Sequence, residues 1–191
     1  MNRWCIGWIV GLLLTVYVEA ARVPLQLYTV DDGLPQSSIF SALQDRPGLL
    51  WFGTQNGLCR FNGIEFTVFT REKDGVAEDR IFGLFEDPVS GNLWAGSESN
   101  GLFEFDGQGW KQYGTESGLP NTNFRAFLPR AERQFFSKMA GSTAKDAPKE
   151  KRTGDAIFLA NMAGYLVVRN DSGFQSYSLP QRFAGMKIAF L

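Results

Sequence analysis

The stretch Asp45-Arg46-Pro47-Gly48-Leu49-Leu50-Trp51-Phe52-Gly53-Thr54 and its echo Asp87-Pro88-Val89-Ser90-Gly91-Asn92-Leu93-Trp94-Ala95-Gly96-Ser97 decide the fold. Each opens with an aspartate, whose side chain caps the backbone N–H groups of a tight turn. Each continues as a short apolar run centred on tryptophan, which reads as a strand. Trp51 and Trp94 stand 43 residues apart, and Gly33-Leu34-Pro35, Gly75-Val76 and Gly118-Leu119-Pro120 recur at intervals of 42 and 43. A period of this length marks a stacked repeat in which each copy is one supersecondary unit.

Working outward, the first copy reads as strands over Ile39 to Gln44, Leu50 to Thr54, Gly57 to Phe61 and Ile64 to Phe69. The second reads as Ile81 to Glu86, Leu93 to Ser97, Gly101 to Phe105 and Gly109 to Tyr113. The third keeps Phe124 to Leu128, Ile157 to Ala160, Gly164 to Val168 and Phe174 to Tyr177, puts Phe158 where tryptophan stood and stretches the interval to 64. Four short strands per copy at this period predict an all-β chain of β-propeller blades, each of four antiparallel strands. The blades cover approximately residues 36–70, 79–114 and 122–178, with an insertion over about 129–155. Leu25-Gln26-Leu27-Tyr28 matches a fourth strand with no blade before it, and Met186 to Leu191 matches a first strand with none behind it. The expectation is therefore an incomplete propeller: about three blades plus orphan strands at both ends, below the roughly four blades needed for closure.

These residues resemble the two-component regulator propeller repeat, in which Gly-Leu-Pro, an alternating strand, Asp-x-x-Gly, Leu-Trp-hydrophobic-Gly-Thr, Gly-Leu and an aromatic strand follow in order. The resemblance extends over about residues 24 to 191 and is closest in the first two copies. It implies the exported sensor region of a hybrid histidine kinase or a related one-chain regulator, commonly one that answers carbohydrate signals.

Composition narrows the chemistry. A net charge of -1 over 191 residues gives no sustained basic field, so no nucleic-acid partner is expected, and a membrane enters only through a parent segment outside these residues. The chain has no histidine, which removes the commonest general base and metal ligand and the phospho-acceptor of a histidine kinase. Arg3, the uncharged run Trp4 to Val18 and the small-x-small site Val18-Glu19-Ala20 read as a signal peptide over residues 1–20, which places residues 21–191 in the periplasm or another extracytoplasmic space. An uncleaved anchor stays open, although fifteen apolar residues fall short of the roughly 20 that span a bilayer. Cys59 is then the only thiol left, and no internal disulfide can form.

The insertion carries seven Lys or Arg against four Asp or Glu and reads as a solvated surface excursion, with a basic partner loop or local sequence damage as alternatives. Trp51 and Trp94, tempting as sugar platforms, fit inter-blade packing better. Asp45 and Asp87 read as turn caps rather than metal ligands. The glycines Gly53, Gly57, Gly63, Gly96, Gly101 and Gly107 read as bends between strands, since none opens a helical phosphate loop.

If the first strand of each copy lines the central channel, the loops before it and those after the tryptophan strand share one face. That face collects the candidate ligand-binding residues Gln36, Ser38, Gln55, Asn56, Asp79, Glu98, Asn100, Asn121, Asn123 and Asn161. Amides and hydroxyls suit a carbohydrate or other small polar ligand. No catalytic residue, cofactor or metal is expected. The leading expectation is a sensory propeller segment of a two-component-type protein without its kinase module. One alternative is a structural propeller fragment that assembles with further blades or with itself and needs no small ligand. A less favoured one is a propeller lyase or glycosidase, for which Glu78, Asp79 and Glu98 are the nearby carboxylates.

Overall fold

The computed structural model describes residues 25–77, 79–128, 157–160, 165–170 and 173–178. The proposed signal segment, Glu78, the insertion, Asn161 and Met186 to Leu191 lie outside them. Three sheets of four antiparallel strands follow one another, each in simple sequential order. Blade 1 comprises β1 (Ile39–Gln44), β2 (Leu50–Thr54), β3 (Gly57–Phe61) and β4 (Phe66–Phe69). Blade 2 comprises β5 (Ile81–Glu86), β6 (Leu93–Ser97), β7 (Leu102–Phe105) and β8 (Trp110–Tyr113). Blade 3 comprises β9 (Phe124–Leu128), β10 (Ile157–Ala160), β11 (Tyr165–Asn170) and β12 (Gly173–Ser178). The all-β propeller architecture expected from the repeat is the one observed. Among the described residues Leu25–Tyr28 finds no ladder partner and forms no strand; Tyr28 packs edge-on to Phe61 and Phe66 with ring centroids 4.8 and 5.6 Å apart.

The repeated glycine ahead of each blade has a local cause. Val30–Asp32, α1 (Arg71–Asp74) and Thr115–Ser117 each make a single helical turn before the chain enters the next blade. Gly33, Gly75 and Gly118 close these turns at φ of 101, 73 and 90°, left-handed backbone that a β-carbon disfavours. The residue after each glycine (Leu34, Val76, Leu119) is buried, so the turn also delivers an apolar anchor.

Each blade has two unlike faces, and adjacent blades join one kind to the other. Trp51 is 1% exposed; it stacks on Phe69 within its blade and meets Phe105 and Trp110 of blade 2 at 5.6 and 5.9 Å. Ile81, Leu93, Ala95 and Phe103 complete that core. Trp94 repeats the arrangement on Tyr113, against Phe124, Val167 and Phe174 of blade 3. Burying one such aromatic is worth up to about 3 kcal/mol, so these interfaces carry much of the stability. The opposite face of blade 1 offers the same residue types uncovered: Ile39 is 44% exposed where Ile81 is 0%, and Leu50 is 37% where Leu93 is 3%.

Gly53 and Gly96 correct the reading of these glycines as bends. Both lie inside strands, where the next blade's first strand crosses closely. A β-carbon on Gly53 would stand 2.8 Å from Ile81 Cγ2, and one on Gly96 would stand 2.7 Å from the Phe124 carbonyl oxygen. Gly63, Gly101 and Gly107 do sit between strands with positive φ, as a bend requires, and Gly57 opens β3 with the same backbone sign.

The aspartates cap turns as expected. Asp45 accepts the Leu49 N–H at 2.7 Å and the Trp51 indole N–H at 2.8 Å, so one carboxylate fixes both the turn and the tryptophan. Asp87 accepts the Val89 N–H and the Ser90 hydroxyl at 3.0 and 2.7 Å. Arg46 joins the two turns by pairing with Glu86 at 3.4 Å and donating to the Asp87 and Pro88 carbonyls. Buried Glu104 joins blades 2 and 3. It accepts from Asn92 Nδ2 at 2.8 Å, the Tyr113 hydroxyl at 2.7 Å and Arg169 Nη1 at 2.8 Å. Arg169 in turn lies over the Trp94 ring, 4.8 Å from its centroid.

Candidate ligand face

Antiparallel pairing of the first two strands puts the start of β1 and the end of β2 at the same edge, and likewise in the other blades. Backbone hydrogen bonds tie that edge: Gln55 N–H donates to the Ser38 carbonyl at 3.0 Å, and Glu98 N–H to the Arg80 carbonyl at 2.9 Å. Gly101 N–H donates to the Thr122 carbonyl at 2.8 Å, which fastens the β6–β7 turn to the entry of blade 3. The loops named from the sequence therefore gather on one edge.

What their side chains do there differs from a free recognition surface. Asp79 accepts from the Arg80 N–H, the Ser99 N–H and Asn100 Nδ2 at 2.8, 2.7 and 2.9 Å. Asn100 is held at its other end by Arg71 Nη2 at 3.3 Å. Glu98 takes Arg80 Nη1 at 2.6 Å on one oxygen and Arg125 Nη2 at 3.2 Å on the other. Asn121 Oδ1 accepts the Asn123 N–H at 3.2 Å, and Gln36 Oε1 the Ser37 N–H at 2.7 Å. The side chains of Ser38, Gln55 and Asn56 stay exposed, so the structure brings Asp79, Glu98 and Asn100 into one network and leaves the blade 1 trio facing solvent.

The feature missed in the sequence lies on the first strands. In each, the register slips by one residue: Ile39 pairs with Thr54 but Ser41 with Gly53, Ile81 with Ser97 but Gly83 with Gly96, and Phe124 with Ala160 but Ala126 with Leu159. Phe40, Phe82 and Arg125 are the extra residues. A bulge takes its residue out of the ladder and re-aims the side chain. The three meet across blades, with Phe40 and Phe82 ring centroids 4.9 Å apart and the Arg125 guanidinium 4.0 Å from the Phe82 centroid. Consecutive bulky residues at Ile39-Phe40 and Ile81-Phe82, where alternation should put one small or polar, were the signal available.

No group of three or more His, Cys, Asp or Glu among the described residues could hold a metal. Cys59 is buried in β3, and burial pushes its thiol up to about 12. Asp79 and Glu98, two of the carboxylates weighed for glycoside hydrolysis, are occupied by amides and arginines.

The stacked four-strand sheets and their repeat define the chain as a β-propeller segment. Residues 33–56 match the family described as "Two component regulator propeller", so the resemblance seen in the sequence holds there. The chain is 34% identical over 58 residues to histidine kinase P4 of Formosa agariphila, a match spanning 30% of this chain and 4% of that one. Among solved structures it is similar to the extracellular domain of a putative hybrid two component system from B. thetaiotaomicron, with TM-score 0.60 and 18% identity over 80% of this chain and 20% of that one. It is also similar to a catalytically inactive virginiamycin B lyase from Staphylococcus aureus with quinupristin, with TM-score 0.51 and 16% identity over 77% of this chain and 44% of that one. At these identities the structures speak for the fold alone. The chain spans a small part of the length of the relatives it matches.

Proposed function

We propose that these residues form an extracytoplasmic ligand-recognition segment of a two-component-type signal transduction protein, with phosphotransfer left to a module outside them. The observation that carries this reading is the propeller repeat at residues 33–56 inside a stack of three blades whose entry loops gather on one edge. The absence of histidine leaves no phospho-acceptor of the histidine-kinase type in the chain. No helix among the described residues is long and apolar enough to cross a membrane. The test joins residues 1–191 to an alkaline phosphatase stripped of its own signal. Phosphatase activity in intact cells is the expected result; an inactive, cytoplasmic fusion, or autophosphorylation of the chain by ATP, overturns the reading.

The uncovered face of blade 1 favours a second reading, an assembly module that needs no ligand. Ile39, Leu50 and Val68 stand exposed there. Light scattering of the purified chain decides it: growth in mass with concentration supports assembly, and a monomer at all concentrations removes it.

A further inference from the structure

From the repeated bulges we infer a binding site for a small ring that carries a carboxylate, set on Phe40, Phe82 and Arg125; it rests on the recognition reading and names its ligand class. Three blades carry a register slip at the same position, and each slip takes one side chain out of its ladder. In two blades that side chain is phenylalanine, in the third arginine. The two rings lie 4.9 Å apart and tilted by 36°, with Phe40 still 43% exposed. Phe40, the exposed member of the pair, presents a platform for the apolar face of a flat ring, with half-buried Phe82 behind it.

The polar end of the platform is cationic. Arg125 sits over Phe82 and donates to Glu98 through Nη2; Arg80 donates to the other Glu98 oxygen through Nη1. Two guanidinium groups thus converge on one carboxylate, and both arginine side chains are close to half exposed. A guanidinium has five N–H donors, and these two commit a small share of them to Glu98. Asp79 keeps its charge nearby, but its oxygens accept from two backbone N–H groups and Asn100, which leaves the remaining guanidinium donors to a ligand. A second carboxylate is the acceptor that fits beside Glu98, and bidentate pairing with arginine gives it direction. A ring held on Phe40 and Phe82 can reach Arg125 with a carboxylate on its rim, since the guanidinium already lies against Phe82.

The shared chemistry, a ring plus one carboxylate, has two sources: an acidic sugar or an aromatic acid. Calorimetric titration of the chain with glucuronate, benzoate, glucose and acetate separates them. Binding of glucuronate or benzoate, with glucose and acetate at least about tenfold weaker, is expected, and which of the two binds names the source. Phe40→Leu keeps an apolar side chain and removes the ring; Arg125→Gln keeps length and removes the charge. Each is expected to weaken binding by about tenfold or more while the melting temperature stays near that of the parent chain. Failure of both ring acids to bind, equal binding of glucose or acetate, or unchanged affinity in either variant overturns the site. A chain that is exported in the phosphatase assay yet ignores both acids loses this site and keeps the recognition reading.

Discussion

Replacing Gly53 by alanine tests how the blades are packed. The new β-carbon would lie 2.5 Å from the Ile81 carbonyl oxygen and 2.8 Å from Ile81 Cγ2, and neither can give way cheaply. Ile81 is buried and is paired to Ser97 in β5, so relief requires moving blade 2 away from blade 1. Overpacking of this kind costs about 1–3 kcal/mol, and contact with backbone puts it at the upper end. Restricting the unfolded chain returns about 0.4–1 kcal/mol, which leaves a net loss of about 2 kcal/mol. For a chain of this size that lowers the melting temperature by about 4–8 °C. Two other glycines serve as controls. A β-carbon added at Gly109 would meet nothing within 4 Å, and the backbone there has no positive φ, so Gly109→Ala should be neutral or slightly stabilising. Gly63 has the same free space but φ of 95°, so Gly63→Ala should lose about 1 kcal/mol through backbone strain alone. Urea and thermal melts followed by tryptophan emission report the result, because Trp51 lies in the interface concerned. A Gly53→Ala chain that melts with Gly109→Ala would refute the close crossing.

Asp45→Asn keeps the volume but cannot accept from both the Leu49 N–H and the Trp51 indole, so about 1–2 kcal/mol should be lost in a urea titration, with Trp51 emission shifted. Glu104→Gln should cost about 2–3 kcal/mol by leaving Arg169 without its anion and weakening the hold on Asn92 and Tyr113; a loss below about 0.5 kcal/mol would count against the network. Cys59 should resist alkylation in the folded chain at pH 8 and react once the chain is unfolded in urea. Its folded pKa of about 12 exceeds the ordinary 9.0, so the associated stability is full below pH 9 and drains away between 9 and 12 as the unfolded thiol ionises first. Tyr113, pushed to about 12 by burial and by Glu104, adds to the loss above pH 10, and Cys59→Ser should flatten the earlier part of the alkaline decline.

The repeat made the blades legible because each strand type has its own local signature. The tryptophan strands Leu50–Thr54 and Leu93–Ser97 and the first strands Ile39–Gln44 and Ile81–Glu86 fall where the pattern predicts them. The fourth strands of blades 1 and 2 are shorter than predicted and that of blade 3 longer; Ile64 and Glu65 belong to the turn, where their N–H groups donate to Asn62 Oδ1. The one-turn helix Arg71–Asp74 was not legible, because four residues carry no periodicity, although Thr70 ahead of it caps the Lys73 N–H. At the candidate face the sequence located the loops but not the contacts that their side chains make. Spacing shows that Asp79 and Asn100 end up on one edge; it does not show that Asn100 Nδ2 and Asp79 Oδ2 meet and satisfy each other across 21 residues. Glu104 was passed over because its partner Arg169 is 65 residues away. The bulges were missed although Ile39-Phe40 and Ile81-Phe82 break the alternation, because two adjacent apolar residues also fit a strand buried on both faces until pairing partners are known.

The two faces of a blade are different shapes, one carrying the tryptophan in blades 1 and 2 and the other the bed of aliphatic and aromatic side chains that receives it. A contact made through the bare bed of blade 1 is therefore asymmetric, since it wants the opposite face of a partner's blade and not its own mirror. Copies joined this way do not stop at a two-fold pair. They add head to tail, and the fixed angular step from blade to blade decides whether the chain of copies curls into a ring or runs on as a filament.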